Sequence, residues 1–346
     1  MLFSSNKYKT KNLLICKKRI DSYGISYGLI NSASFVANAL NKKGMESKVV
    51  FVIDGNSIDK EVYLHKPTHV FIEAIWVTPE KIEVLIKKYP KIKWIIRIHS
   101  QLPFLANEGI AFDWIWKYDI LTMIYKNLFI SGNNINFIKD LKKLYINPIY
   151  LPNIYCPNVN LTDNSREKTD EFLDVGCFGA VRPMKNHLSQ AVAAINFANK
   201  LNKKLRFHIN GDRTEQRGDQ ALKNLENLFR GYAKHQLIKH NWMTHLDFLG
   251  IVRKMDIGMQ VSFSESFNIV SADFANNYVP IVVSDEINWL PWWTKAKPTC
   301  TKSIVRKLII NYYFDKIINS SFINKIYLKV YNKKALNIWL DYLKKS

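Results

Sequence analysis

The chain has 346 residues, 47% hydrophobic and 23% charged, a balance that builds cores and excludes a disordered protein. Lys and Arg number 50 against 29 Asp and Glu, a net charge of +21 that favours polyanionic partners, although an AT-biased genome enriches Lys, Asn and Ile together in the same way. The four cysteines are far apart without a CxxC pair, the early apolar run Leu13–Cys16 is too short for a signal-peptide core, and no window nears ~18 uncharged apolar residues, so a soluble, cytoplasmic protein with no transmembrane segment is expected.

Asn12 to Cys16 reads as a buried strand, followed by a turn from Asp21 to Gly28 and a helical apolar period from Leu29 to Asn41. Further short apolar runs at Lys48–Ile53, His69–Glu73 and Trp94–His99 continue the pattern, and Phe129–Ser131 and Ile149–Leu151 could add edge strands. Strands of this kind, separated by helical stretches, predict a parallel sheet in an α/β fold. The texture then changes at Pro152–Pro157 and becomes polar through Asp170, which marks a linker over 156–172. The alternation restarts with a strand at Leu173–Phe178, a helix at His187–Leu201, a strand at Leu205–Ile209 and a helix at Gln220–Tyr232. A strand at Ile257–Phe263, a helix at Phe267–Asn276 and a strand at Pro280–Val283 complete it. Two Rossmann-like domains facing a central cleft are expected, at 1–155 and 173–300.

The remainder, 301–346, is expected to be a basic helical tail. Its ten Lys and Arg residues face only Asp315 and Asp341, and aromatic residues from Tyr312 to Tyr342 are interleaved among them. Such a tail fits first a packed helical cap with a solvated lysine face, and as the second reading a contact with a polyanion or a membrane surface.

Two segments hold residue types that could carry chemistry. Gly179-Ala-Val-Arg182-Pro-Met-Lys185-Asn186 lies between a strand and a helix. Glycine permits close backbone approach, the helix N-terminus offers free N–H groups, and two cations lie three residues apart, which together suit a pyrophosphate. The segment is neither a Walker loop nor a GxGxxG fingerprint, and a plain surface turn would have the same composition. The second segment is Ser264-Glu265-Ser266-Phe267-Asn268-Ile269-Val270-Ser271-Ala272-Asp273. Glu265 falls at a strand's C-terminal end, where open α/β sheets place ligand groups, and Asp273 follows two helical turns later. The carboxylates could accept hydrogen bonds from sugar hydroxyls; the plainer alternative is a helix cap and a lone solvated Asp273.

With Ile209-Asn210-Gly211-Asp212 and Met255-Asp256-Ile257-Gly258, these segments resemble the GT-B glycosyltransferases. The likeness is to the large retaining family with a Glu-x7-Glu motif, and especially to its phage-type members. It covers roughly 175–295, with weaker support from Gly24 and Gly28 after the first strand, His99 after the fourth and the hinge-like Leu151-Pro152-Asn153. The resemblance implies that Arg182 and Lys185 contact a donor diphosphate and that Glu265 binds donor-sugar hydroxyls. It implies a ribose contact at 273, where this chain has the shorter Asp, and a nucleobase-holding stretch over Asn241–His245 that includes Trp242. Gly179, Ser264, Phe267, Asn268 and Ile269 would complete the donor site, although the family often has Gly near position 268. His99 would touch the donor sugar.

The implied reaction moves a sugar from a nucleotide-diphosphate donor, such as a UDP-sugar, to a hydroxyl acceptor with retention and without a metal or other cofactor. Cations and helix N–H groups can stabilise the departing diphosphate, and the chain has no DxD motif. His235, His240 and His245 repeat every five residues, which does not place them on one helix face as a zinc site would want. An inverting enzyme would need a general base, for which Asp21, Glu73 and Glu108 are the candidates. Net charge and phage-type likeness favour double-stranded DNA with hydroxymethylated bases as acceptor, contacted by Lys17, Lys18, Arg19, Arg97 and Lys126. A lipid-linked or surface glycan at an acidic membrane is the alternative, and a non-enzymatic nucleic-acid-binding protein is the reading of another class.

Overall fold

A strand buried on both faces has no polar side to show, so its sequence is a short β-branched run, and helices must cover it on both sides. The computed structural model of the chain describes residues 10–18, 27–157, 171–241 and 243–345. Its contacts divide it into two units, one of residues 1–158 with 332–346 and the other of residues 159–331.

The first unit contains β1 (Lys11–Lys17), α1 (Tyr27–Asn41), β2 (Glu46–Val52), α2 (Ile58–His65), β3 (His69–Glu73) and α3 (Pro79–Lys88). It continues with β4 (Lys93–Ile98), α4 (Leu102–Leu105), α5 (Ala111–Ile124), β5 (Leu128–Gly132), α6 (Ile135–Lys143) and β6 (Ile149–Tyr150). All six strands are parallel, in the order β2-β1-β3-β4-β5-β6. The order reverses between β1 and β3. Leu13, Ile15, Val70, Ile72, Trp94, Ile96 and Ile130 fill the core between sheet and helices.

The second unit contains β7 (Phe172–Val181), α7 (His187–Lys200), β8 (Lys204–Thr214), α8 (Gly218–Arg230), β9 (Gln236–His240) and α9 (His245–Lys254). After these come β10 (Ile257–Gln260), α10 (Ile269–Asn276), β11 (Ile281–Ser284), β12 (Lys295–Ala296), α11 (Thr301–Ile318) and the first part of α12 (Ser320–Lys345), whose residues from 332 belong to the first unit. Its sheet is parallel throughout, in the order β12-β11-β10-β7-β8-β9, the arrangement of a Rossmann domain. The reversal falls between β7 and β10. Two glycines allow the close packing beside it, because a Cβ on Gly176 would lie 2.9 Å from the Phe274 ring and one on Gly258 2.7 Å from it.

The fold corrects two expectations. The run Ile257–Phe263 supplies a strand only as far as Gln260. Beyond it the Val261 N–H goes to the Gln190 side chain (2.8 Å) and the Phe263 N–H to the Met184 carbonyl (2.9 Å), so the chain leaves the ladder. The edge strand expected at Ile149–Leu151 ends at Tyr150. The expected helical tail forms α11 and α12, whose residues up to 331 belong to the second unit and those from 332 to the first. Two of its aromatic residues, Tyr312 and Trp339, are core groups, while Tyr313, Phe314, Phe322 and Tyr327 are exposed. Tyr312 packs edge-on against Phe197, while the fully buried Trp339 packs on Phe71 and donates its indole N–H to the Pro152 carbonyl (2.8 Å). Asn332 brackets Tyr155 with two backbone hydrogen bonds, both 2.9 Å. The linker expected over 156–172 falls mostly outside the described residues.

Candidate functional site

In an open α/β sheet the strands on either side of a reversal send their connections to opposite faces, which leaves a crevice at their C-terminal ends. In the second unit those ends belong to β7 and β10, and the segments after them are 179–186 and 261–268.

Gly179 has φ +110°, a backbone conformation that glycine alone adopts at no steric cost, and its N–H donates to Asn210 Oδ1 (2.8 Å). A single 3-10 turn, Pro183–Lys185, and Asn186 in the left-handed region then feed α7. The Asn186 side chain donates to the carbonyls of Val261 (3.1 Å) and Pro298 (2.9 Å). Gln190 donates to the Lys185 carbonyl (2.7 Å) while accepting from the Val261 N–H. The two segments are thereby stitched together.

One consequence is that Lys185 Nζ donates directly to Glu265 Oε1, with both side chains about nine-tenths buried. Burial works to raise the Glu265 carboxyl, but the charges of Lys185 and Arg182 outweigh it and hold the group below its ordinary value. Arg182 donates from Nη1 to Glu215 (3.1 Å), which also pairs with Arg213. Two basic side chains and a buried carboxylate therefore stand at the Rossmann reversal point.

Asn268 caps α10. Its Oδ1 accepts from the Ser271 N–H (2.8 Å), and its amide donates to Gln260 Oε1 (2.7 Å), which is fixed by the Phe178 carbonyl. With φ +62°, position 268 needs a residue that tolerates positive φ, and Asn is one of the few non-glycine residues that does. The first-turn N–H groups of Ile269 and Val270 have no acceptor within the helix. Ser264 is buried beside Glu265. Phe267 is a core group, stacked between Trp289 (5.6 Å) and Tyr331 (5.2 Å), so only its backbone is available to a ligand.

Asp273 is not a lone solvated carboxylate. It is 1% exposed and accepts from His245 Nε2 (2.8 Å). Burial disfavours the charged imidazole, yet the hydrogen bond and charge of Asp273 outweigh that and raise the His245 pKa. The role of His245 as the partner of Asp273 was not legible in the sequence, since 28 residues separate the two. Thr244 as N-cap of α9 was the one local clue to its placement. The other two histidines of the five-residue repeat point elsewhere: His235 bonds the Leu205 N–H, and His240 bonds His208, which in turn bonds Asp174. Among the described residues no three His, Cys, Asp or Glu side chains are grouped to hold a metal ion.

In the first unit a second buried polar cluster occupies the C-terminal ends of β3, β4 and β5. Glu73, fully buried, accepts from Arg97 Nη1 (2.8 Å) and pairs with His99 Nε2 through the same oxygen. Arg97 also donates to the carbonyl of Leu151 (3.2 Å) and to Asn153 Oδ1 (2.6 Å), and its guanidinium lies over the Trp339 ring. His99 Nδ1 faces the Asn133 amide (3.2 Å). Burial and the neighbouring Arg97 charge lower the pKa of that imidazole, against the pull of Glu73. The Glu73 carboxyl is itself held low: burial opposes its charge, and Arg97 and His99 overcome that.

This corrects two expectations. Arg97 is inaccessible and paired, so it is not offered to a polyanion. Glu73 is the buried counter-ion of Arg97, not a base presented to an acceptor. Glu108, Lys17, Lys18 and Lys126 are exposed. Gly28 lies in the first turn of α1, where a Cβ would meet nothing within 4 Å, so no packing demands a glycine there. Asp21, Arg19, Gly24 and Trp242 lie outside the described residues.

Neither a protein-family model nor a curated protein sequence matches the chain. Solved structures do. Sucrose-phosphate synthase from Thermosynechococcus elongatus is 9% identical with a TM-score of 0.64, over 97% of this chain and 98% of that one. The Anabaena protein HepE, solved with UDP and glucose, is 10% identical with a TM-score of 0.62, over 97% and 99%. Trehalose-6-phosphate synthase OtsA gives 10%, 0.63 and the same coverage. The chain has the GT-B fold. At these identities the likeness reaches the fold alone.

Proposed function

We propose that this GT-B protein is a glycosyltransferase that moves a sugar from a nucleotide-diphosphate donor to a hydroxyl acceptor. The observation that carries the proposal is the Lys185–Glu265 ion pair, with Arg182 beside it, at the reversal point of the second sheet. Breaking the donor's sugar–phosphate bond leaves negative charge on the diphosphate. Lys185, Arg182 and the first-turn N–H groups of α7 and α10 are donors for that charge, held in place before the reaction begins. In the absence of donor, Lys185 and Glu265 neutralise each other. On binding, Lys185 would turn to the diphosphate and Glu265 to the sugar hydroxyls, which replaces one set of charge-assisted hydrogen bonds with another.

A uridine nucleotide is the proposed donor base, supported by the UDP and UDP-2-fluoro glucose in the structures of HepE and of the E. coli trehalose-6-phosphate protein. Retention is the proposed outcome, supported by the fold likeness to trehalose-6-phosphate synthase, described as transferring with retention. The acceptor is proposed only as a hydroxyl compound. Hydroxymethylated DNA drew on net charge and on a basic first-domain face, and that face loses Arg97; charge alone does not separate DNA from anionic lipid. Incubation with a panel of nucleotide sugars, read by mass spectrometry for released nucleotide, tests the reading. Slow release from one donor, abolished in Arg182→Ala, is expected; no release and no binding of any nucleotide sugar would refute it.

A further inference from the structure

The corner between α11 and α12 leaves an apolar face uncovered among the described residues. Ile317 and Ile318 close α11 at 77% and 52% exposure, and Phe322, Ile326 and Val330 follow on α12 at 43–48%. The last three are spaced four apart and form one stripe of the helix, opposite the buried Ser321, Asn324 and Leu328. Tyr278, half exposed, stacks flat on Phe322 with ring centroids 6.3 Å apart and extends the stripe sideways.

Charge surrounds this face with a single sign. Lys316 precedes Ile317, while Lys325 and Lys329 lie one residue before Ile326 and Val330, along one edge of the stripe. Lys325 is pinned, its ammonium 3.9 Å over the Tyr278 ring and 2.9 Å from the Asn276 carbonyl. The acid on the corner, Asp315, is turned inward to accept the Ser321 N–H (2.8 Å). The acid that acts on Lys316 is Asp256, which accepts the Asp174 N–H at 2.9 Å, and the Lys316 ammonium lies 4.2 Å over the Tyr312 ring at the base of the corner. Aliphatic and aromatic side chains that stand out of a surface, edged by lysines and with the local acids engaged elsewhere, match the headgroup boundary of an anionic bilayer. DNA would take up the lysines but would leave the isoleucines facing phosphate.

We infer that the α11–α12 corner is a docking surface for an anionic lipid membrane, with Ile317, Ile318, Phe322 and Ile326 entering the interface and Lys316, Lys325 and Lys329 on lipid phosphates. The inference itself does not depend on turnover.

The full chain should sediment with vesicles of phosphatidylcholine containing about a third phosphatidylglycerol, and not with phosphatidylcholine alone. Binding should fall with added salt, by about fivefold for each lysine removed in Lys316→Gln and Lys329→Gln. Ile317→Ser combined with Phe322→Ser should reduce it by at least about tenfold. Thermal unfolding and nucleotide-sugar binding of the variants serve as controls and should match the wild type. Absence of vesicle binding, equal binding to neutral vesicles, or variants that bind like the wild type would each overturn the inference. So would concentration-dependent self-association that Phe322→Ser abolishes, because a second copy would then be the occupant. Loss of donor binding with vesicle binding intact would count against the proposed function alone.

Discussion

Lys185 and Glu265 show how much one pair can be asked to do. Both are nearly buried, so removing the lysine leaves a carboxylate with Arg182 as its remaining source of positive charge. Lys185→Ala is expected to cost up to about 3 kcal/mol of stability in urea unfolding. Adding Glu265→Gln should recover most of that loss while donor binding stays absent, which separates the structural role of the pair from its ligand role. Asp273 and His245 make a pH-dependent pair. The raised pKa of His245 means that its stabilisation is complete below the ordinary imidazole value of 6.5 and is lost as pH rises through the higher folded value. The melting temperature should therefore fall more between pH 6 and pH 8.5, on the order of two units, in the wild type than in His245→Gln. Equal slopes would show that the pair does not titrate in this range.

At the scale of elements, the short strands were the most legible because burial on both faces leaves an unmixed apolar run. His69–Glu73 is such a case, and the structure reproduces its bounds. Gln236–His240 was missed because it has only two apolar residues, Leu237 and Ile238, between polar ones at the sheet's edge, where no side chain is fully buried. The segments that carry Arg182, Lys185 and Glu265 were legible as ligand-like, but not their union, which rests on side chains far apart in sequence. Asn186 is the clearest of these, since one amide spans two carbonyls on other segments. Asn186→Ala should destabilise by about 1–3 kcal/mol through two unpaired carbonyls. It should also weaken donor binding without any direct contact, which a titration alongside unfolding would reveal.

For the molecule as a whole, α12 is the element whose composition left a packed cap and a polyanion or membrane contact both open. Its Trp339 lies in the first unit's core against Phe71 and beneath Arg97. Trp339→Ala should cost about 3–5 kcal/mol, with hydrogen-exchange protection lost first over β3 and β4. Of the +21 net charge, Lys185 and Arg182 have a local task, Arg97 is neutralised by Glu73, and the lysines of the α11–α12 corner edge an apolar surface. The central claim remains the diphosphate site of the second unit. Calorimetric titration of the full chain with UDP, in the wild type and in the Lys185→Ala/Glu265→Gln variant, tests it most directly. Saturable binding weakened at least about tenfold in the variant is the expected result, as the loss of a charge-assisted contact implies. Equal affinity in both proteins would contradict it.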